Sequence, residues 1–437
     1  MVNIAKIYSK LGNPDSLIPL AIKDTASTTG MTAGSYITGK EEGHDRFIDE
    51  VGTEIIWLGG IPFFKWLYDK TVFKALNFDA KFDARNLKDK SVLTKIKELS
   101  PTEEIKKEIE NITKKDSSFK KAATAKFFVS TALTVGSYIG LTKFKQNYTD
   151  KKIRENLIKE YQATLVQKNN EINETQKTSE PSFKGIGSAI ENLAFSPVKN
   201  MWVLDGCITG ERLKESRSKQ EFIGYAIKEA SILFFMYYAG GKIQEMLENY
   251  AEKKHKKSIA LDARVLEDNF LKEAFKDGSV VKSIEDFKVA NKSNADLYEF
   301  LHKNPENIIV KTAKKSDIIQ MYKKPQGLFK NAKITDKIDT RKFINLKEVE
   351  DVKNKIEKLY NQYKEDLANG KSSEEFFNKV KKLKRTSILT NLGSCILALG
   401  VLTPAIMLLN RIASDDNKEF ETKKRIREEL IKEGIIA

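Results

Sequence analysis

The sequence predicts an all-α protein made of two tandem copies of one helical unit. Each copy carries two hydrophobic helices, and the second is interrupted by a mostly helical insertion. Three observations lead there. An octamer recurs almost unchanged, IRENLIKE at 153–160 and IREELIKE at 426–433, differing only at Asn156 against Glu429. Shorter motifs recur in the same order upstream of each octamer. Nine prolines and 23 glycines in 437 residues leave long charged and apolar stretches with few turn clusters, a composition that leans helical.

The upstream matches are collinear. Asp83-Ala84-Arg85 answers Asp262-Ala263-Arg264, and Ile37-Thr38-Gly39 answers Ile208-Thr209-Gly210. Phe47-Ile48 followed by Glu54 answers Phe222-Ile223 followed by Glu229 at identical spacing. Self-similarity over so long a period is an architectural signal. Copy one then covers 1–162, with hydrophobic helices at about 51–77 and 122–144. The polar stretch QKNNEINETQKTSEPS reads as a linker over 163–183. Copy two covers 184–437, with hydrophobic helices at about 222–250 and 386–412 and an insertion at about 270–380. Inside the insertion, 348–367 has helical periodicity, while Ile308-Ile309-Val310 after Asn304-Pro305 reads as one short strand. The insertion as a whole reads as a small soluble domain.

The four hydrophobic segments differ in strength. The last runs for about 25 residues between Arg385 and Arg411 without a charge, long enough to span a bilayer. Its counterpart between Lys126 and Lys143 is about 16 residues, just under that length. The segments that open at Glu54 and at Glu229 fall in the range of about 10 to 14 residues, which suits a core or interfacial helix better than a span. Trp57, Trp66 and Tyr68, interspersed with Lys65 and Lys70, read as an aromatic and basic interfacial belt. Gly59-Gly60 with Pro62, and Gly240-Gly241, suit bends. Ala132, Gly136 and Gly140, and in copy two Thr390, Ser394 and Ala398, form stripes of small residues that permit close helix contact.

Charge narrows the partners. The formal net charge of +15 favours polyanions, either an anionic lipid membrane or nucleic acid. Acids are interleaved with the lysines, as in Glu103, Glu104 and Glu108 among Lys106 and Lys107, which is the pattern of a solvated helix surface and disfavours nucleic acid. Cys207 and Cys395 have no partner at metal-ligand spacing, so neither disulfide nor zinc is expected. The N-terminal stretch lacks the pattern of a cleaved signal peptide.

Catalytic motifs are missing. The stretch from Gly34 to Lys40 has the spacing of a phosphate-binding loop, but Glu41 stands where a magnesium-holding hydroxyl belongs and no strand precedes it. His44, His255 and His302 lack a paired nucleophile, and no nucleophile elbow or zinc helix occurs. Four charged residues remain as functional candidates. Glu54 and Glu229 each begin an apolar segment, and a carboxylate at membrane depth is the setting of a proton or cation site; the plainer reading is an acid in the first turn of a helix. Arg85 and Arg264 could grip a phosphate or lipid headgroup; the plainer reading pairs them with Asp83 and Asp262, which cap the helices that follow. The sequence therefore predicts a membrane-associated, non-catalytic helical scaffold, in the membrane or on its cytoplasmic face, without cofactor or metal. A protein partner would meet the 270–380 insertion. A duplicated membrane transporter or channel is the alternative.

Overall fold

The computed structural model describes residues 4–12, 16–165, 171–172, 196–217, 219–326, 330–413 and 421–436. The stretch read from sequence as a linker, 163–183, and the start of the expected second copy fall almost wholly outside the described residues. The chain is all-α, as the sequence predicts. The first part holds α1 (Ile4–Gly12), α2 (Leu17–Thr38), α3 (Lys40–Tyr68), α4 (Lys90–Glu98), α5 (Glu103–Lys114) and α6 (Asp116–Leu165). Next come α7 (Pro197–Lys214), α8 (Lys219–Ile232) and α9 (Gly240–His255). Shorter helices follow: α10 (Ala263–Glu267), α11 (Asn269–Lys276), α12 (Ser279–Ala290), α13 (Asn294–Lys303) and α14 (Ile308–Lys315). The last are α15 (Leu346–Ala368), α16 (Ser373–Leu397), α17 (Thr403–Ala413) and α18 (Glu421–Lys432). π-helical turns at Asp69–Phe73, Leu233–Ala239 and Ala398–Leu402 lie inside or next to the hydrophobic helices. Strands are few: β1 (Glu171–Ile172) pairs antiparallel with β4 (Glu433–Gly434), and β2 (Met321–Gln326) with β3 (Lys330–Ile338).

The chain divides into two compact units that do not follow the sequence halves. Unit 1 gathers Met1–Pro19, Leu67–Lys126 and Gly241–Asn391, and unit 2 gathers Leu20–Trp66, Phe127–Gly240 and Leu392–Ala437.

Unit 1 has an ordinary apolar core. Phe73, Phe78 and Phe82 stand edge-on to Phe119, and Phe275, Tyr363, Phe376 and Phe377 form a second aromatic group. Its short helices start where side chains cap them, because the first backbone N–H groups of a helix have no internal partner. Asp89 accepts from Ser91 and Val92, Thr102 from Ile105, and Ser293 from Asp296. The same chemistry corrects one expectation. Ile308-Ile309-Val310 is not a strand but the first turn of α14, capped by Asn307 and buried throughout; a short apolar run has no period that separates the two states. The insertion instead contains a hairpin, β2–β3, that the sequence did not announce. The helix read at 348–367 is α15.

In unit 2 the two matching octamers meet. Ile153 and Leu157 of α6 pack with Ile426 and Leu430 of α18 and with Ile436 in one buried cluster. Arg154 pairs with Glu433, and Arg425 with Asp150 at 2.5 Å. Helices also approach closely: a Cβ built on Gly30 would lie 2.1 Å from the Gly400 carbonyl oxygen, and one on Gly60 2.6 Å from the Thr134 methyl group. The expected small-residue stripes do not make these contacts. Ala132, Gly136, Gly140, Thr390 and Ser394 are exposed, and of the two stripes only Ala398 is buried.

Two predictions follow from these local contacts. Leu430→Ala should cost about 2–5 kcal/mol, since a large buried side chain is lost, and limited proteolysis should then release α18 faster than in the wild type. The Asp89 carboxyl is held down to about 2 by hydrogen bonds from Ser91 and Asn294. A depressed folded value means that its stabilisation is present above the unfolded value of about 3.9 and is lost as pH falls towards 2. Asp89→Ala should therefore lower the melting temperature at neutral pH, by the equivalent of about 1 kcal/mol for a lost cap. The wild-type and variant melting curves should converge in acid.

Candidate functional site

Four helices of unit 2 bury polar residues and expose apolar ones, alongside buried apolar residues such as Met201, Leu204 and Ile208. On α3, Asp45, Asp49, Thr53 and Trp57 recur every four residues and are buried together with Glu50, whereas Phe47, Ile55, Phe63 and Trp66 are exposed. On α6, Ser130, Thr134, Tyr138, Thr142, Lys145 and Thr149 are buried, whereas Phe128, Val129, Leu133 and Phe144 are exposed. α7 buries Asn200, Asp205 and Arg212 but exposes Trp202, and α8 buries Tyr225, Lys228 and Glu229 but exposes Phe222. Buried charge combined with large exposed apolar side chains departs from the pattern of a helix in a water-soluble bundle.

The inward faces build a charge network around Arg212. Its guanidinium donates to Tyr138 Oη at 3.0 Å and Thr53 Oγ1 at 3.0 Å, and it pairs with Glu229, with Asp49 at 3.4 Å and with Glu50 at 3.9 Å. Lys228 bridges Glu50 at 2.6 Å and Glu229 at 3.4 Å. Lys145 lies 3.6 Å from Asp49 and 3.8 Å from Asp45, Arg217 lies 2.9 Å from both Asp45 and Glu221, and Arg46 lies 3.5 Å from Glu50. Five cations thus meet five carboxylates. An unpaired charge in such a place would cost several kcal/mol, and pairing with hydrogen bonds offsets that cost.

Next to Arg212 and Lys228 is a cavity of about 20 Å³, enough for roughly one water molecule. Glu54 and Glu229, singled out from sequence, both border it, with Asp24, Glu50 and Asp205. Neither acid sits in the first turn of a helix, so the plainer reading of the two is corrected: each lies deep within its helix, where the polar stripe faces inward. Glu54 accepts a hydrogen bond from Thr25, and Glu229 accepts one from Thr209 at 3.1 Å as well as pairing with Arg212.

The remaining candidates lie elsewhere. Arg85 and Arg264, in unit 1, fold back on the aspartates two residues before them. Arg85 pairs with Asp83 at 2.7 Å and Arg264 with Asp262 at 3.1 Å, while each aspartate accepts the backbone N–H of its arginine. Asp339 and Arg341 repeat this clip, a third instance that the sequence comparison did not single out because threonine replaces alanine between them. The belt is corrected at Trp57, which is 2% exposed and borders the cavity instead of an interface. It falls on the buried stripe, four residues after Thr53. Trp66 and Lys70 are exposed, Lys65 is partly exposed, and Tyr68 leans on Phe73 with ring centroids 5.9 Å apart. The glycine-containing stretch from Gly34 to Thr38 is helical and offers no phosphate loop. No group of metal-ligating side chains occurs among the described residues.

Asp49, Lys145, Arg212 and Lys228 escaped the sequence reading. The signal was present as a four-residue polar period, Asp45-Asp49-Thr53 in one segment and Ser130-Thr134-Tyr138-Thr142 in another. Arg212→Met should leave Asp49, Glu50 and Glu229 short of a cation and lower stability by about 3–5 kcal/mol, measured as a fall in the melting temperature of the purified protein. Adding Glu229→Gln should recover part of the loss, because one of the stranded charges is removed. No protein-family model, curated protein or solved structure matches the chain.

Proposed function

We propose that the protein is a membrane-embedded, non-catalytic helical scaffold, with unit 2 as its bilayer part. The observation that carries this reading is the buried charge network of unit 2 on helices α3, α6, α7 and α8 whose large apolar side chains are exposed. Hydrocarbon tolerates apolar side chains on the outside of a bundle and drives charges to its interior, where they pair. The helical stretch Ser373–Asn410 adds to it: its best window has a mean hydropathy of 2.2 and is only 28% buried, unlike the core helix of a soluble protein. It is the one such stretch among the described residues. A hydropathy average treats α3, α6, α7 and α8 differently for a physical reason. Their inward-facing charges offset their outward-facing Phe, Ile and Leu, although a lipid would meet only the latter.

The net charge of +15 supports anionic lipid as the membrane partner. The 270–380 region, all within unit 1, is where a protein partner would be sought. Ancestry by tandem duplication is part of the same proposal. It is supported by the packing of one octamer on the other and by the meeting of Glu54 and Glu229 at one cavity.

The duplicated transporter or channel is the second reading, favoured by those two acids at a shared cavity. With about 20 Å³ the cavity admits nothing larger than water or a small ion.

Alkaline washing of membranes should leave the protein in the pellet. Recovery as a soluble monomer without detergent would overturn the proposal. In reconstitution, incorporation into anionic vesicles should exceed that into neutral ones. Cysteines placed at Lys65, Asp83 and Lys143 should all label from one side if the protein is a scaffold that does not cross completely; labelling from opposite sides would move the reading towards transport.

A further inference from the structure

Two acid-free basic runs lie on helices that pack side by side in unit 1. Residues 253–257 read KKHKK at the end of α9, and residues 379–385 read KVKKLKR on α16. The helices are antiparallel neighbours: Gln244 meets Ser387 at 3.3 Å, Glu248 meets Lys384 at 3.5 Å, and the Lys257 ammonium lies 5.1 Å from the centroid of the Phe376 ring. This register brings Lys379 to His255. Partial desolvation first, and then the positive charges of Lys379, Lys254 and Lys257, hold the His255 imidazole below its ordinary value.

Some of these cations are used within the fold. Lys257 pairs with Asp366 at 2.9 Å, Lys384 donates to the Ile259 carbonyl at 2.8 Å and Lys381 to the Glu267 carbonyl at 3.4 Å, and Arg385 pairs with Glu267. Lys253, Lys254, Lys256, Lys379 and Lys382 are exposed and make no ion pair among the described residues. The acids of both helices are already engaged: Glu245 with Lys242, Glu248 with Lys384, Glu252 with Lys358, Glu374 with Lys272, and Glu375 with the backbone N–H of Ser372. Five positive charges are therefore left without a countercharge. The dipole of α9 favours lysines at its own C-terminus, but it gives nothing to Lys379 and Lys382 near the start of α16. Lys256 even adopts left-handed backbone, φ 53°, at a position that glycine fills with less strain.

The chemistry that complements this patch is anionic, and its place on α16 selects the source. Immediately after Arg385 the same helical stretch becomes uncharged as far as Asn410, and this is the stretch apolar enough to cross a bilayer. At 1.5 Å per residue, Lys379 and Lys382 precede the uncharged part by about 10 and about 6 Å. A long lysine side chain spans that distance into the headgroup layer. We infer that the end of α9 and the basic run of α16 form a docking site for the phosphate groups of an anionic lipid surface, held by Lys253, Lys256, Lys379 and Lys382. The inference rests on the reading that the protein meets a membrane, and adds which residues hold the headgroups. Ammonium groups act on phosphate as point charges, so the site needs no cavity.

The chain has three histidines, so the full-length protein in zwitterionic detergent micelles reports on the site through the magnetic-resonance titration of His255, assigned by its loss in His255→Gln. Adding phosphatidylglycerol should raise the His255 pKa by about half a unit, the effect of a negative lipid surface on a nearby cation. The same amount of phosphatidylcholine should leave it unchanged. The triple variant Lys253→Gln, Lys256→Gln, Lys379→Gln removes only exposed side chains, and an unchanged resonance of the buried His302 checks that it folds. It should lose at least half of the response to phosphatidylglycerol. An equal response to both lipids, or a full response in the triple variant, overturns the inference. So does an equal response to inorganic phosphate in lipid-free micelles, which would assign the patch to the free anion. Alkaline washing tests the membrane reading separately: a protein that stays in the pellet while His255 ignores anionic lipid keeps that reading and loses this site.

Discussion

The guanidinium of Arg212 is the point on which unit 2 depends. It lies on α7, yet its partners come from α3, α6 and α8: Asp49, Glu50 and Thr53, then Tyr138, then Glu229. A buried arginine must find acceptors for its donors and a countercharge, or the fold bears several kcal/mol of desolvation. Satisfying it sets the rotation of three other helices, because only one face of each carries the matching groups. The outward faces then follow. Once Asp45, Asp49 and Thr53 point inward, Phe47, Ile55 and Phe63 have to point outward.

Unit 1 uses the same residue types differently. Its interior is filled by Phe119, Phe275, Phe376 and their neighbours, and its charges are used in short-range clips such as Asp83–Arg85 and Asp262–Arg264 and in isolated buried pairs such as Lys257–Asp366, with no network like that around Arg212 among the described residues. The arginines that looked like ligand-grippers are used locally: each guanidinium closes a turn whose aspartate already caps the following helix. In one chain, then, arginine serves both as a turn clip at a surface and as the central countercharge of a polar interior.

Much of the fold was legible. Low turn content and long apolar runs pointed to the all-α class, helical periodicity placed α15, and the octamer match named two segments that pack together. Glu54 and Glu229 were found because acids in apolar segments are conspicuous, although sequence gave no reason for them to border the same cavity. Ile308-Ile309-Val310 was misread because three apolar residues have no period, and Trp57 because an aromatic beside lysines resembles a belt until its face is known.

What the sequence by itself determined is local: which segments are helical, where caps begin them, and which charges interrupt apolar runs. These follow from interactions spanning one or two turns, which a linear reading captures. What only the tertiary structure decided is the partnership of those charges. Lys228 meets Glu50 across 178 residues, and Arg212 meets Asp49 across 163. No periodicity encodes such a distance. The pairs form because every helix with a polar stripe must bury it against another, and the identity of that other helix is set by packing.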